Sequence, residues 1–195
     1  MNLRTYASAF AIASLATVSS AAVTFSNFSS NAAATAAGFT APFTAANSVT
    51  YQPGNAFLVG PSAPVTYEFA YDVTDPGALI SGVSGLTQAF VGGGGAASYT
   101  VQVFNLVGGG LLGSQTVDAA AAPSQLVSLG FAGASGVHVV SSITLAAAGN
   151  FDFAAVTQTN ENVQTVPEPA SMAALGLGAL GLIRRRRSAN SLSRA

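Results

Sequence analysis

One stretch of ten residues decides the fold class of this chain: positions 65–74 read VTYEFAYDVT. Apolar and polar side chains alternate along this stretch, and a period of two is the signature of a β-strand that buries one of its faces. The sequence Asp-Pro-Gly follows at 75–77 and favours a turn. We therefore expect a strand that ends at this turn and whose tyrosines, Tyr67 and Tyr71, point into a core.

Further strand-like runs lie on both sides of this stretch and share β-branched and aromatic residues. They occupy 23–28, 48–52, 86–91, 98–107, 114–117, 125–131, 136–145 and 151–159. Glycine clusters at 92–95 and 108–110 are typical of hairpin loops, and 31–37 is long enough for one helical turn. Many short strands separated by turns predict an all-β fold, a single antiparallel β-sandwich or jelly-roll-like domain over residues 23–165.

The charge distribution restricts the partners of this predicted domain. The chain has six basic residues, all of them arginine, at position 4, at 184–187 and at 194. The acidic residues of the predicted domain, which we expect on its surface, are Glu68, Asp72, Asp75, Asp118, Asp152 and Glu161. An acidic surface repels phosphate backbones, so nucleic-acid binding is excluded. The absence of cysteine excludes disulfides, thiol catalysis and thiolate metal sites.

The first 22 residues have the three parts of a secretory signal peptide. Residues 1–4 contain Arg4, residues 5–18 are apolar and rich in alanine, and the small residues Ser-Ala-Ala follow at 20–22. This order predicts export of the domain and cleavage by signal peptidase after Ala22, with a neighbouring site at Ala21 as the alternative.

A second three-part segment lies near the C-terminus. It begins with an acidic, proline-rich tetrapeptide made of Val166, Pro167, Glu168 and Pro169. A neutral apolar run at 170–183 would span about 21 Å as a helix, which is short against a bilayer core of about 30 Å. Four arginines end it, namely Arg184, Arg185, Arg186 and Arg187. Because basic residues stay on the cytoplasmic side, we predict a short transmembrane sorting helix at 170–183, a membrane stop at 184–187 and a cytoplasmic tail at 188–195.

In this order, the tetrapeptide, the Leu/Gly/Ala-rich run and the arginine cluster at 166–187 resemble the PEP-CTERM sorting signal of Gram-negative bacteria. The resemblance implies that an exosortase, a membrane enzyme, recognises the segment and processes it near Pro167-Glu168-Pro169. It also implies an intermediate anchored transiently in the inner membrane. The domain would then be released or transferred to the cell surface or to the exopolysaccharide matrix of a biofilm.

Catalytic constellations are nearly absent from the predicted domain. His138 is the single histidine of the chain and lies in an alternating run, where a lone histidine is more often structural, and the Gly-x-Ser-x-Gly pattern of a nucleophile elbow does not occur. We therefore expect no enzymatic activity and no cofactor. Calcium is the one metal considered, because it prefers oxygen ligands. Its candidate ligands are Asp72 and Asp75, with a second candidate pair at Asn150 and Asp152.

Three functions remain open. The first is a non-catalytic surface or matrix protein associated with exopolysaccharide. The second is a carbohydrate-binding module, or alternatively an ice-binding one that uses the threonines of the Thr-Gln-Thr sequence at 157–159. The tyrosines that could stack on sugars are Tyr51, Tyr67, Tyr71 and Tyr99. The third is a hydrolase whose carboxylates are Glu68 and Asp72.

Overall fold

The computed structural model describes residues 22–40, 42–54, 56–119, 124–167, 176–178 and 180. Most of the predicted signal peptide, Glu168, Pro169, the four arginines and the tail at 188–195 lie outside the described residues, so those predictions remain untested. Of the predicted sorting helix at 170–183, the described residues 176–178 and 180 are helical. No helix in the described part of the chain combines the length and the hydropathy of a membrane-spanning segment.

The described residues form the all-β architecture that the alternating runs predict. The strands are β1 (Thr24–Ser30), β2 (Phe43–Ala45), β3 (Ser48–Tyr51), β4 (Phe57–Val59), β5 (Ser62–Thr74), β6 (Ala78–Gly92), β7 (Ala96–Asn105), β8 (Leu111–Asp118), β9 (Ser124–Ala134), β10 (Gly136–Ala147) and β11 (Phe153–Pro167). They make two antiparallel sheets. The five-stranded sheet has the order β1-β5-β10-β7-β8, and the six-stranded sheet has the order β2-β3-β11-β6-β9, with β4 also paired to β11. This arrangement is consistent with the predicted sandwich.

Strand β5 contains the deciding stretch 65–74 and supplies the centre of the core. Tyr67 and Tyr71 are buried as predicted. Between them, the Phe69 ring stacks on Phe39 with 5.2 Å between the ring centroids, and the ring of Tyr51 lies 4.3 Å from Phe69. A fully buried aromatic side chain contributes about 1.5–3 kcal/mol. The aromatic cluster therefore joins β5 of one sheet to β3 of the other.

A helix of six residues, α1 (Ala32–Ala37), lies between β1 and β2 and corresponds to the helical turn expected at 31–37. The Asn31 side chain caps its first turn by accepting a hydrogen bond from the N–H of Ala34 at 2.8 Å. Gly38 ends it in the left-handed conformation, with φ of 94°. Two buried alanines, Ala34 and Ala37, let the helix pack closely on β1 and β5.

Strand β6 is longer than the run predicted at 86–91, because it begins at Ala78. The first half of the strand contains Gly82 and Gly85, which interrupt the apolar alternation that identifies a strand. A Cβ atom at Gly85 would overlap the side chain of Tyr99 from the opposite sheet, so the glycine makes room for the tyrosine. Strands β2 and β4 also escaped prediction, since three residues are too few to show a period.

The predicted acidic surface is wrong for three carboxylates. Glu161 is completely buried, and Asp72 and Asp75 are only 8% and 6% exposed. Asp75 folds back over its own turn, where its Oδ1 accepts a hydrogen bond from the N–H of Gly77 at 2.8 Å. A buried carboxylate is costly unless hydrogen bonds satisfy it, so the surroundings of Glu161 and Asp72 are of special interest.

Candidate functional site

The outer face of the six-stranded sheet carries a row of amides and hydroxyls. Along β11, Gln158, Asn160 and Asn162 point outward, because the alternate residues Thr159 and Glu161 are fully buried. We call this row and its outward cross-strand neighbours the amide face. Its polar members are Ser48, Thr50, Ser84, Gln88, Ser128, Gln158, Asn160, Asn162 and Gln164. Two exposed leucines, Leu86 and Leu126, continue the row beside Asn160.

Two hydrogen bonds fix the centre of the amide face. Asn160 Nδ2 donates to Thr50 Oγ1 at 2.6 Å, and Asn162 Nδ2 donates to Asn160 Oδ1 at 2.8 Å. A side-chain amide has two N–H donors and an oxygen with two lone pairs, so each asparagine keeps hydrogen-bonding capacity for a ligand. The centre of the face is therefore an ordered row of uncharged donors and acceptors.

One end of the amide face is apolar. Three exposed rings, Phe57, Phe90 and Phe153, form what we call the phenylalanine patch, and the centroids of Phe57 and Phe153 lie 6.4 Å apart. In the strand register, Ala155 pairs with Phe57 on one side and with Phe90 on the other. A small side chain thus separates two exposed rings. Contiguous apolar groups at a surface indicate an interaction site more often than scattered ones do.

Of the residues that the sequence suggested for sugar or ice binding, the four tyrosines and Thr159 are buried, and only Thr157 is exposed. All four candidate tyrosines are in the core, Tyr51, Tyr67, Tyr71 and Tyr99. The threonine array at 157–159 is also wrong, because an irregularity in the register between Val156 and Gln158 leaves Thr157 exposed and Thr159 buried. The Thr159 hydroxyl instead shares a hydrogen bond of 3.0 Å with Thr87.

A second polar cluster lies on the five-stranded sheet. Asp72 Oδ1 is 2.6 Å from His138 Nδ1, and Asp72 Oδ2 accepts a hydrogen bond from Asn27 Nδ2, also at 2.6 Å. Asn27 has a positive φ of 52°, at the irregular step of β1. On the other side of His138, the Phe104 ring centroid lies 6.4 Å away. Both oxygens of Asp72 are therefore engaged by neighbouring side chains.

The third cluster is enclosed between the sheets around Glu161. The Tyr99 and Ser141 hydroxyls both donate to Oε1 of Glu161. The other oxygen, Oε2, makes no hydrogen bond within the described residues, and neither do the hydroxyls of Tyr51 and Tyr71. The Tyr71 hydroxyl lies near enough to influence the carboxyl, although its geometry falls short of a hydrogen bond.

The surroundings of Glu161 alter the acidity of the whole cluster. Burial raises the pKa of Glu161, and the hydrogen bonds from Ser141 and Tyr99 oppose part of that rise. Burial also raises the pKa values of the Tyr71 and Tyr99 hydroxyls well above the ordinary value of a tyrosine. The negative charge of Glu161 raises both pKa values further. The sequence did not predict this cluster, because the inward positions of β11 include the polar residues Thr159 and Glu161 and so do not stand out as a core face.

Asp152 organises the loops at one end of the sandwich. Its carboxylate accepts hydrogen bonds from the N–H groups of Gly94 and Gly149, each at 2.6 Å, and its carbonyl accepts one from Gly60 at 3.0 Å. The bonds from Gly94 and then Gly149 lower the pKa of this exposed carboxyl. The side chain therefore joins the β6–β7 loop to the loop before β11. The glycines at 92–95 do not form the predicted hairpin loop, because β6 and β7 belong to different sheets, whereas the glycines at 108–110 connect the paired strands β7 and β8.

The calcium hypothesis remains a prediction. The part of the chain that the structure describes contains no group of three or more His, Cys, Asp and Glu side chains that could hold a metal ion. Asp72 is bound to Asn27 and His138, while Asp75 is bound to its own turn. The carboxylates of the hydrolase hypothesis, Glu68 and Asp72, share one face of β5, with Glu68 exposed and Asp72 buried.

The first half of the predicted sorting tetrapeptide belongs to the last strand. Val166 pairs with Leu79 and Pro167 with Ala78, which extends β11 beyond the run predicted at 151–159. The pairing of β11 with β3 ends at Asn162, on the opposite side of the strand. The sequence therefore passes from the sandwich into the tetrapeptide without an intervening linker.

Several solved structures are similar to the chain at low sequence identity. TmCBM61 in complex with beta-1,4-galactotriose has a TM-score of 0.43 at 12% identity, with 73% of this chain and 88% of that chain covered. The C-terminal domain of a chitobiase from Bacteroides fragilis has a TM-score of 0.35 at 10% identity, with 77% and 98% covered. TM-scores below 0.5 do not assign a ligand or an activity to the chain.

Sequence comparison identifies the C-terminal segment. No curated protein matches the chain. The family model of the PEP-CTERM protein-sorting motif matches residues 165–187, which agrees with the resemblance noted at 166–187. In general this motif implies an exported protein, a membrane-anchored intermediate and processing by an exosortase. The chain therefore carries a PEP-CTERM protein-sorting motif that begins in the last strand of its β-sandwich.

Proposed function

We propose that this protein is a non-catalytic component of the cell surface or extracellular matrix, and that an exosortase processes it at the PEP-CTERM motif. The observation that carries the proposal is the match of residues 165–187 to the sorting motif, which begins in the last strand of the sandwich domain. The predicted signal peptide at 1–22 supplies the route out of the cytoplasm, with signal peptidase as the first partner. The motif supplies the second, membrane-bound step.

Two carboxylates are occupied by contacts within the protein, which supports a non-catalytic role. Asp72 uses both oxygens to hold Asn27 and His138, and Glu161 is enclosed in the core. A hydrolase needs carboxyl groups that a substrate and a water molecule can reach. Glu68 alone does not provide such a pair. Association with exopolysaccharide is the role that an exported protein with one uncharged polar sheet face would serve best.

Mass spectrometry of the mature protein tests this proposal, because it determines both ends of the chain at once. Protein from wild-type cells should begin at residue 23 and lack the peptides that follow the tetrapeptide at 166–169. Protein from cells without the exosortase should keep the sequence through Ala195 and remain in the membrane fraction. A control variant with Glu68→Ala, a surface change outside the motif, should be processed normally. Persistence of the C-terminal peptides in wild-type cells would overturn the proposal.

A further inference from the structure

The two sheets present outer faces of different charge. The five-stranded sheet carries Glu68, Asp72 and His138 on its outer face. Within the described strands of the six-stranded sheet, no outward side chain is ionisable, since its single charged residue, Glu161, points into the core. A surface without charge has no electrostatic means of holding a phosphate backbone or an anionic polymer. The face therefore favours a neutral ligand over a charged one.

The amide face and the phenylalanine patch lie in line along β11. From Phe153 to Gln164 the strand extends about 35 Å at roughly 3.3 Å per residue. The phenylalanine patch occupies the first rows, and the amides at 158, 160 and 162 follow along the same strand. This shape fits an extended chain better than a compact molecule.

The phenylalanine patch has the geometry of a stacking site. Phe57 and Phe90 stand on either side of Ala155, so their backbones are about 10 Å apart across three strands. Both rings are about half exposed. Ala155 between them has a small side chain, so a flat apolar group can lie upon the exposed rings. Stacking on exposed aromatic rings is favourable because it removes apolar surface from water.

We infer that the outer face of the six-stranded sheet binds a neutral polysaccharide chain. The C–H face of a sugar ring packs on the phenylalanine patch, while the hydroxyls of following sugars bond to Gln158, Asn160 and Asn162. Neutral amides suit this ligand, because each offers a donor and an acceptor, as each sugar hydroxyl does. The inference deepens the proposed matrix role by naming the ligand and the surface that holds it.

Affinity electrophoresis of the purified full-length chain tests the inference. The gels contain one of three neutral polysaccharides, a mixed-linkage β-glucan, a galactan or a dextran, or else alginate as the anionic comparison. We expect at least one neutral polymer to retard the protein and alginate to leave its mobility unchanged. Phe90→Ala and Gln158→Ala should each weaken the retarding interaction about tenfold, the size expected for losing one good contact. Leu111→Ala, at an exposed apolar position on the other sheet, should not.

Three results would overturn the inference. The first is a lack of retardation by every neutral polymer, and the second is retardation that neither face variant changes. The third is a dimer in sedimentation that Phe90→Ala dissociates, since the phenylalanine patch would then be covered by a second copy. Urea unfolding of each variant shows whether it is folded, and Gln158→Ala, at the surface, keeps the test valid if Phe90→Ala is unstable. Binding is measured on purified protein, so a failure of exosortase processing in cells leaves its outcome unchanged.

Discussion

Tyr99 and Glu161 are 62 residues apart in the sequence and lie on different sheets, yet the Tyr99 hydroxyl donates a hydrogen bond to Oε1 of Glu161 in the core. Ser141 donates to the same oxygen. Because successive side chains of a strand point to opposite faces, a slip of β11 by one residue would move Glu161 to the surface and break both bonds. The buried carboxyl therefore fixes the register of β11 relative to the other sheet.

The stability of the protein should fall as the pH rises above the ordinary pKa of a glutamate. Burial raises the pKa of Glu161 from 4.5. A group with a raised folded-state pKa contributes its stability fully below the unfolded-state value and loses it as the pH rises towards the folded-state value. We expect the free energy of unfolding in urea to decrease above pH 4.5, with a slope of at most about 1.4 kcal/mol per pH unit. Replacement of Glu161 by glutamine should flatten this slope.

Glu68→Gln provides the matched control for this experiment, because it removes an exposed carboxylate from a neighbouring region of the sandwich. That variant should keep the slope of the wild-type protein. If Glu161→Gln also keeps the wild-type slope, Glu161 is not the group responsible, and the polar cluster does not control stability in this pH range.

The sequence was sufficient for the fold class but not for the inner face of β11. The strict alternation in 65–74 predicted β5 and its buried tyrosines correctly. In β11, the inward residues include Thr159 and Glu161 and the outward ones include Asn160, so both faces are polar and hydrophobicity does not distinguish them. The register irregularity after Val156 also shifts, by one residue, which positions of β11 point inward. In the folded protein, the burial of Thr159 and Glu161 shows which side faces the core.

The buried hydrogen bond between Thr87 and Thr159 permits a double-mutant test. Their hydroxyl oxygens are 3.0 Å apart, and both residues are fully buried. Thr→Val at either position leaves the other hydroxyl unpaired in the core, which costs about 1–3 kcal/mol. The double variant removes both polar groups and should be nearly as stable as the wild type. Urea unfolding of the four proteins gives the coupling energy, and simple additivity of the two single losses would contradict the expectation.

Gly85 should tolerate no side chain. A Cβ atom there overlaps the ring and the hydroxyl of Tyr99, so Gly85→Ala must displace the tyrosine that holds Glu161. Overpacking of this kind costs about 1–3 kcal/mol, which a lower urea midpoint would show. Gly130→Ala is the matched control in the adjacent strand, because nothing lies within 4 Å of its added Cβ. Equal effects at the two positions would mean that the loss comes from the backbone and not from the contact with Tyr99.

The candidate ligand face escaped prediction for a related reason. The sequence drew attention to tyrosines, because they combine an aromatic ring with a polar group. The structure buries them and exposes Phe57, Phe90 and Phe153 instead. Phe57 lies in the three-residue strand β4, which no periodicity reveals. Phe57 lies beside Phe153 because β4 pairs with β11. These strands are almost 100 residues apart in the sequence, so no local pattern predicts their pairing.

The loops at the Asp152 end should loosen when its carboxylate is removed. Asp152 accepts hydrogen bonds from the N–H groups of Gly94 and Gly149, which lower its pKa below 3.8. A lowered pKa means that this contribution is present above the ordinary value and is lost as the pH falls through the folded-state value. In Asp152→Ala, we expect hydrogen exchange at both glycine amides to be about tenfold faster at neutral pH, while strands β6 and β11 keep their protection. Glu68→Ala should leave both amides unchanged. Exchange rates that Asp152→Ala does not alter would show that the backbone alone holds the two loops together.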